Sequence, residues 1–202
     1  MNEHKVRLAT PDDARAIAEI YAPIVEATTI SFEDVAPTVA QTHARIESIL
    51  RTFPWLAFEE RGEVLGFAYA SRHRERSAYR WSVDVTVYVH EAARGRRIGQ
   101  TLYLALFRIL GEQRFHRAFA GIALPNDASI ALHRSVGFTP VGVYREVGFK
   151  LGAWRDVSWW EREIPSPRTS SANASEEPGE PIPLPHLKRG VVTKAILGRI
   201  AG

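Results

Sequence analysis

The chain has 202 residues, with 26 basic and 23 acidic side chains and a formal net charge of +3. At roughly 100–200 residues per domain, this is one domain, or one domain with an appendage. It has no cysteine, which excludes disulfides, thiolate zinc sites and cysteine nucleophiles.

Lys5–Leu8 reads as a first strand. Thr10-Pro11-Asp12-Asp13 is a helix start, with a hydroxyl N-cap, proline at the first position and acids in the first turn. Ala14, Ile17, Ala18, Ile20 and Tyr21 continue that helix at helical spacing, and residues 38–51 form a second one. Residues 55–59 and 64–71 flank Arg61-Gly62 and predict a hairpin. Residues 82–89 are a strand of β-branched and aromatic residues. Ile98, Leu102, Ala105, Leu106 and Ile109 make an amphipathic helix closed by Gly111. A strand over 118–124, a helix over 127–136, and strands over 141–147 and 154–162 complete the pattern. The succession predicts an α/β fold on a mixed central sheet.

Beyond Ile164 the composition changes. Six of the twelve prolines fall between Pro165 and Pro185, among many Ser and Glu. Residues 165–185 therefore read as a disordered linker, with too little apolar surface to offset the entropy of ordering. Residues 186–202 form a basic tail with Lys188, Arg189, Lys194 and Arg199. Val191, Val192, Ala195, Ile196 and Ile200 can share one face of a short helix, which would suit a membrane surface, an acidic partner or the domain itself. Gly190 and Gly198 each weaken such a helix by about 1 kcal/mol, which favours a frayed tail that is dispensable for folding and activity. No apolar run approaches ~18 residues, so no transmembrane segment is expected. The N-terminus lacks the apolar stretch of a secretory signal, which points to a cytoplasmic address. Arginine supplies 22 of the 26 basic residues, but the small net charge and the lack of a basic stripe with interleaved aromatics argue against nucleic acid. No histidines and carboxylates have metal-ligand spacing, so no metal is expected.

The junction TVYVHEAARGRRIGQTLYLALFRIL carries the most chemistry. A strand ends near Val89, a Gly-containing basic loop follows, and a helix begins. Unpaired backbone N–H groups and the helix dipole favour an anion at such a start, and Arg94, Arg96 and Arg97 add charge. The loop lacks the spacing of a Walker A motif or a dinucleotide fingerprint. A second segment, GIALPNDASIALHRSVGF, runs from strand through Asn126 into a helix bearing Ser129 and His133.

Together the two segments resemble the GNAT superfamily of acyl-CoA-dependent N-acyltransferases, whose pyrophosphate loop reads [RQ]-x-x-G-x-[GA]. Here the loop is Arg94-Gly95-Arg96-Arg97-Ile98-Gly99, with Arg97 in place of the middle glycine. TTISF, PWLAFE, AYRWSVDVTVYV, LPND and GFKLGAWRDVSWWERE narrow the resemblance to the phosphinothricin and methionine-sulfoximine acetyltransferase branch. It spans residues 1–164 and implies a mixed, mostly antiparallel sheet flanked by helices, with acetyl-CoA as cosubstrate, direct transfer to a small amine and a homodimer. By the same resemblance Val87, Tyr88 and Val89 would pair with pantetheine. The N–H of Val89 would polarise the thioester carbonyl. Arg94 through Gly99 would hold the pyrophosphate, and Asn126 and Ser129 the pantetheine arm.

Asp84 stands where that branch carries a glutamate base. It reads either as the base or as a buried structural acid. His133 reads either as a proton donor to the thiolate or as a structural histidine. Arg76 is the candidate partner for an acidic head group, with Tyr79 beside it, and Phe32 and Trp154 are candidate pocket walls. Other acceptors (another amino acid, a polyamine, an aminoglycoside, a protein N-terminus) and a non-catalytic CoA sensor are the alternatives.

Overall fold

The computed structural model describes residues 4–165 and 179–197. The strands are β1 (His4–Leu8), β2 (Trp55–Glu60), β3 (Glu63–Arg72), β4 (Ser82–Val89), β5 (Arg117–Ala123), β6 (Thr139–Lys150) and β7 (Ala153–Glu163). The helices are α1 (Ala14–Ala27), α2 (Val39–Leu50), α3 (Ile98–Glu112), α4 (Asp127–Ser135) and α5 (Arg189–Leu197). The seven strands form one sheet in the order β1-β2-β3-β4-β5-β7-β6, in which only β4 and β5 run parallel.

The local signals act as their chemistry dictates. Asp13 accepts from the Thr10 N–H at 2.8 Å, and Gln41 accepts from the Thr38 N–H at 2.8 Å, so both helix starts are reciprocal caps. Arg61 and Gly62, at φ 53° and 85°, form the two-residue turn between β2 and β3. Gly111 does not close α3. It lies inside the last turn, and the reversal falls on Arg114 at φ 69°.

The core has two layers. On one face α3 buries Leu102, Leu106, Ile109 and Leu110 against Val83, Val85, Ala118 and Ala120. On the other, α1 and α2 bury Ile17, Ile20 and Ile46 against Trp55, Ala57 and Phe67.

The β4–β5 pairing is short. It joins Ser82 to Arg117, Val83 to Ala118 and Asp84 to Phe119, then stops, while β4 continues to Val89 and β5 to Ala123. The strands part in a V with Asp84 at its apex. The N–H of His90 donates to the Leu65 carbonyl at 2.9 Å, and the β3–β4 register is regular. By antiparallel alternation Tyr88 exchanges hydrogen bonds with β3, whereas the backbone groups of Val87 and Val89 point into the V.

The C-terminal segment departs from expectation. Residues 166–178, most of the expected linker, lie outside the described residues, as does Ile200. Residues 179–197 are not a frayed tail: Leu184, Val192 and Ala195 are buried in the α3-side core. Gln113, fully buried, donates from Nε2 to the carbonyls of Thr52 and Ile182, both at 2.8 Å. The N–H of Ile182 donates back to the Gln113 carbonyl at 2.9 Å, and that of Leu184 to the Thr52 carbonyl at 3.0 Å. The glycine penalty applies to an isolated helix, but packing on α3 supplies the stability a nine-residue helix lacks alone. The expected boundary at Ile164 therefore divides a shared core.

Candidate active site

Three cavities meet around the V. The first is a groove of about 660 Å³ along the start of α3, lined by Val87, Val89, Arg94, Gly95, Arg97, Ile98, Gly99, Asn126 and Ser129. Arg97 caps α3 in the left-handed region at φ 60°, and Gly95 before it has φ 77°. The N–H of Thr101 is the first to bond within the helix, to the Arg97 carbonyl at 3.0 Å. The N–H groups of Ile98, Gly99 and Gln100 therefore have no partner inside the helix and open on the groove. A Cβ on Gly99 would stand 2.9 Å from Leu132 Cδ2, so the glycine lets α3 and α4 close one side of the groove. Arg96 points elsewhere: its guanidinium meets Glu60 at 2.6 Å. It is not brought into the groove, contrary to the expectation that it holds pyrophosphate.

The second cavity, about 70 Å³, fills the V itself between Val85, Thr86, Val87 and residues 120–123. His133 and Tyr103 close it. The Leu124–Pro125 peptide is cis and leads into Asn126. Asn126 Oδ1 accepts from the Ser129 N–H at 3.1 Å and starts α4, which carries His133. His133 Nδ1 lies 2.7 Å from the Ser129 carbonyl, an acceptor only, so this nitrogen donates. Nε2 then accepts from the Tyr103 hydroxyl at 3.1 Å. Burial holds the His133 pKa below the usual histidine range and that of Tyr103 above the usual tyrosine range. Both side chains are neutral at pH 7, and His133 has spent both ring nitrogens inside the protein. It ties α4 to α3, and in this arrangement neither ring nitrogen is free.

The third cavity, about 390 Å³, lies on the opposite face of the sheet, between Ile30, Ser31, Phe32, Tyr88, Gly121, Tyr144, Val147 and Trp159. It shares Ile30, Tyr88, Gly121 and Ala123 with the cavity in the V, so the two meet at the open ends of β4 and β5. Phe32 is a wall of this cavity. Trp154 is not: it is 60% exposed and meets Phe149 edge-on, whereas Trp159 supplies the indole wall. Lys150 was missed by sequence reasoning. Its buried ammonium donates to the carbonyls of Val25, Ser31 and Glu33 at 2.7, 2.6 and 2.7 Å and pins the loop bearing Phe32. A lone lysine in an apolar strand run was the available signal.

Asp84 sits at the apex on the face shared with Thr86 and Tyr88. Its Oδ1 lies 2.7 Å from His73 Nδ1. Burial raises its pKa above the usual aspartate range, and the His73 hydrogen bond and the Arg74 charge oppose this. Arg74 places its guanidinium 5.6 Å from the centroid of the Trp159 ring. Arg76 is exposed at the start of a short turn, and Tyr79 stands edge-on to His73 at 6.0 Å. Arg74, exposed like Arg76, stands against the third cavity's indole wall and places its charge near Asp84. Among the described residues, no group of three His, Asp or Glu side chains could hold a metal ion. No helix there is long and apolar enough to cross a membrane.

Residues 6–159 match the acetyltransferase (GNAT) domain family. The chain belongs to the GNAT acetyltransferases. It is 37% identical over 165 residues to phosphinothricin N-acetyltransferase of Streptomyces viridochromogenes, covering 81% of this chain and 90% of that protein. It is 35% identical to the L-methionine sulfoximine/L-methionine sulfone acetyltransferase of Salmonella typhimurium, covering 79% and 94%. A GNAT phosphinothricin acetyltransferase from Sinorhizobium meliloti, solved in complex with AcCoA, superposes with a TM-score of 0.79 at 33% identity, covering 88% and 94%. The groove suits acetyl-CoA: open N–H groups and arginines face a phosphate position, and unpaired strand edges face an amide-bearing arm.

Proposed function

We propose that this GNAT enzyme transfers acetyl from acetyl-CoA to the amine of a small amino-acid-like acceptor of the phosphinothricin or methionine-sulfoximine kind. The observation that carries the reading is the V. It joins a groove with an anion-binding helix start to an aromatic cavity on the other face, with a carboxylate at the apex. Bound acetyl-CoA supplies an acetyl group activated as a thioester.

The chain's own residues would do the rest. The open N–H groups at the start of α3 and the side chains of Arg94 and Arg97 hold the pyrophosphate. Between that loop and the apex, the open backbone groups of Val89 and then Val87 would hold the pantetheine arm. Val87 is three residues from Asp84, about 10 Å along the strand, and Val89 is five. We therefore assign the carbonyl-polarising N–H to Val87 and give Val89 the arm, a shift from the sequence-based expectation. The acceptor's amine arrives as an ammonium. Asp84 takes one of its protons, directly or through one water, so that nitrogen carries a lone pair into the carbonyl carbon. The second proton leaving nitrogen passes to the departing sulfur. Arg74 meets the acceptor's acidic head group, and Phe32 and Trp159 exclude water around it.

The exposed apolar residues Val141, Val143, Val147 and Phe149 of the edge strand β6 support a homodimer through that edge. The test is thiol release over a panel of amino acids, phosphinothricin, methionine sulfoximine and methionine sulfone, with acetyl-CoA titration by calorimetry. Turnover of an acidic amino-acid-like acceptor is expected, and Asp84→Asn should cut kcat at least ~100-fold with acetyl-CoA affinity unchanged. Coenzyme binding without turnover of any amine would instead mark a sensor.

A further inference from the structure

The side chain against Asp84 is the feature of the site that neither the loop motif nor the cavity explains. His73 lies just past the end of β3, eleven residues before Asp84. Its side chain is 9% exposed, while that of Asp84 is 29% exposed and open to water. The imidazole is stacked on Phe119, with ring centroids 4.2 Å apart and planes 13° from parallel. Phe119 is the residue paired with Asp84 at the last rung before the strands part. Tyr79 and Trp159 close around the imidazole edge-on, at 6.0 and 6.3 Å. The ring is thus held on three sides by aromatics, with Nδ1 aimed at one carboxylate oxygen at 2.7 Å.

We propose that His73 is the positioning residue for Asp84, its Nδ1–H fixing the direction of the carboxylate and tuning its hold on a proton. The proposal rests on Asp84 being the base. The chemistry is specific. A carboxylate accepts and does not donate, so Nδ1 carries the proton and Oδ1 is committed to it. That leaves Oδ2 to receive a proton from the acceptor's ammonium. A fixed Nδ1–H favours the ionised carboxylate and counters the burial that disfavours it. The anionic form of Asp84 is then favoured while the carboxylate remains partly desolvated. The proton gained by Asp84 leaves to solvent after transfer.

The other ionisable groups around this pair are accounted for. Arg74, next in sequence, adds a favourable charge. Tyr69 and Tyr79 flank the pair from β3 and from the turn before β4. Arg117 on β5 and Glu161 on β7 share the face of Phe119 and pair with each other at 3.7 Å. On the helix side Glu33 and Arg45 pair at 2.7 Å.

The experiment is the pH dependence of kcat/KM for the full chain and three variants, with acetyl-CoA affinity and thermal melts recorded for each. His73→Phe keeps the stack and removes the donor. His73→Asn places an amide N–H near the position of Nδ1. Asp84→Asn tests the base itself. With His73→Phe the acid limb should move up by about one pH unit and kcat should fall about tenfold. With His73→Asn the limb should return most of the way. A folded His73→Phe with an unmoved limb would overturn the proposal, as would His73→Asn matching His73→Phe. Asp84→Asn with near-normal turnover would instead remove the base reading, and with it the role given to His73. Should His73→Phe not fold, His73→Gln, whose donor lies one bond further out, takes its place with the same expected upward shift.

Discussion

Arg74 and Arg76 are two residues apart in a stretch with four arginines from Arg72 through Arg80, and no local pattern ranks them. What separates them is long-range. Arg74, though exposed like Arg76, lies over Trp159, 85 residues away in β7, whereas Arg76 begins the short turn before β4. Arg96 shows the same limit, since its partner Glu60 belongs to the β2 hairpin. If Arg74 meets the acidic head group, Arg74→Ala should raise the acceptor KM about tenfold and leave acetyl-CoA affinity unchanged, because a charged hydrogen bond contributes ~1.5–3 kcal/mol. Steady-state kinetics with both substrates varied checks this. An equal rise for Arg76→Ala would return the role to the residue favoured by sequence. Asp84 was legible as a lone acid in an apolar strand. His73 was not, because nothing in sequence places it beside Phe119.

Elements were legible where chemistry is local. The caps at Thr10 and Thr38, the Arg61-Gly62 turn and the span of β4 follow from residue type and period alone. The parting of β4 from β5 does not, since it depends on which strands are neighbours and where their pairing stops. Its functional yield is two unpaired backbone edges, at Val87 and Val89. The α3 start shows a trade between strain and charge. Arg97 holds a left-handed conformation that costs an ordinary residue about 1 kcal/mol and that glycine adopts freely. Its charge faces the anion position. Arg97→Gly should therefore melt at the same temperature or higher, yet bind acetyl-CoA a few-fold more weakly. The affinity gap should narrow as salt rises, because this cation is exposed and screened. Calorimetry at two ionic strengths, with a thermal melt, separates the two effects. Weaker binding that ignores salt would mean that loop geometry, not charge, was lost.

At the scale of the whole molecule, the C-terminal residues join the fold without joining the site. The prolines of residues 165–185 suggested a linker, but Ile182 and Leu184 stand between them and dock through Gln113 and Thr52. A proline-set segment needs few contacts to be held, because its backbone has little entropy left to lose. Glu180 pairs with Arg80 at 2.9 Å, and Gly179 accepts from the Trp81 indole at 3.0 Å, so the segment also braces the turn that precedes β4. None of residues 179–197 lines the groove, the V or the aromatic cavity. Stability and catalysis should therefore separate. Leu184→Ala removes a buried side chain and should cost about 2–3 kcal/mol, near 5–10 °C of Tm for a chain of this length. Its kcat at 20 °C, per folded molecule, should match the parent. Deleting residues 179–202 should lower Tm further, since it also removes Val192 and Ala195 from the α3-side core and leaves the Gln113 amide without Ile182. A deletion that melts like the parent would show that the docked segment adds nothing to the core. A Leu184→Ala enzyme that folds but turns over slowly would show that the brace on the β4 turn reaches Asp84.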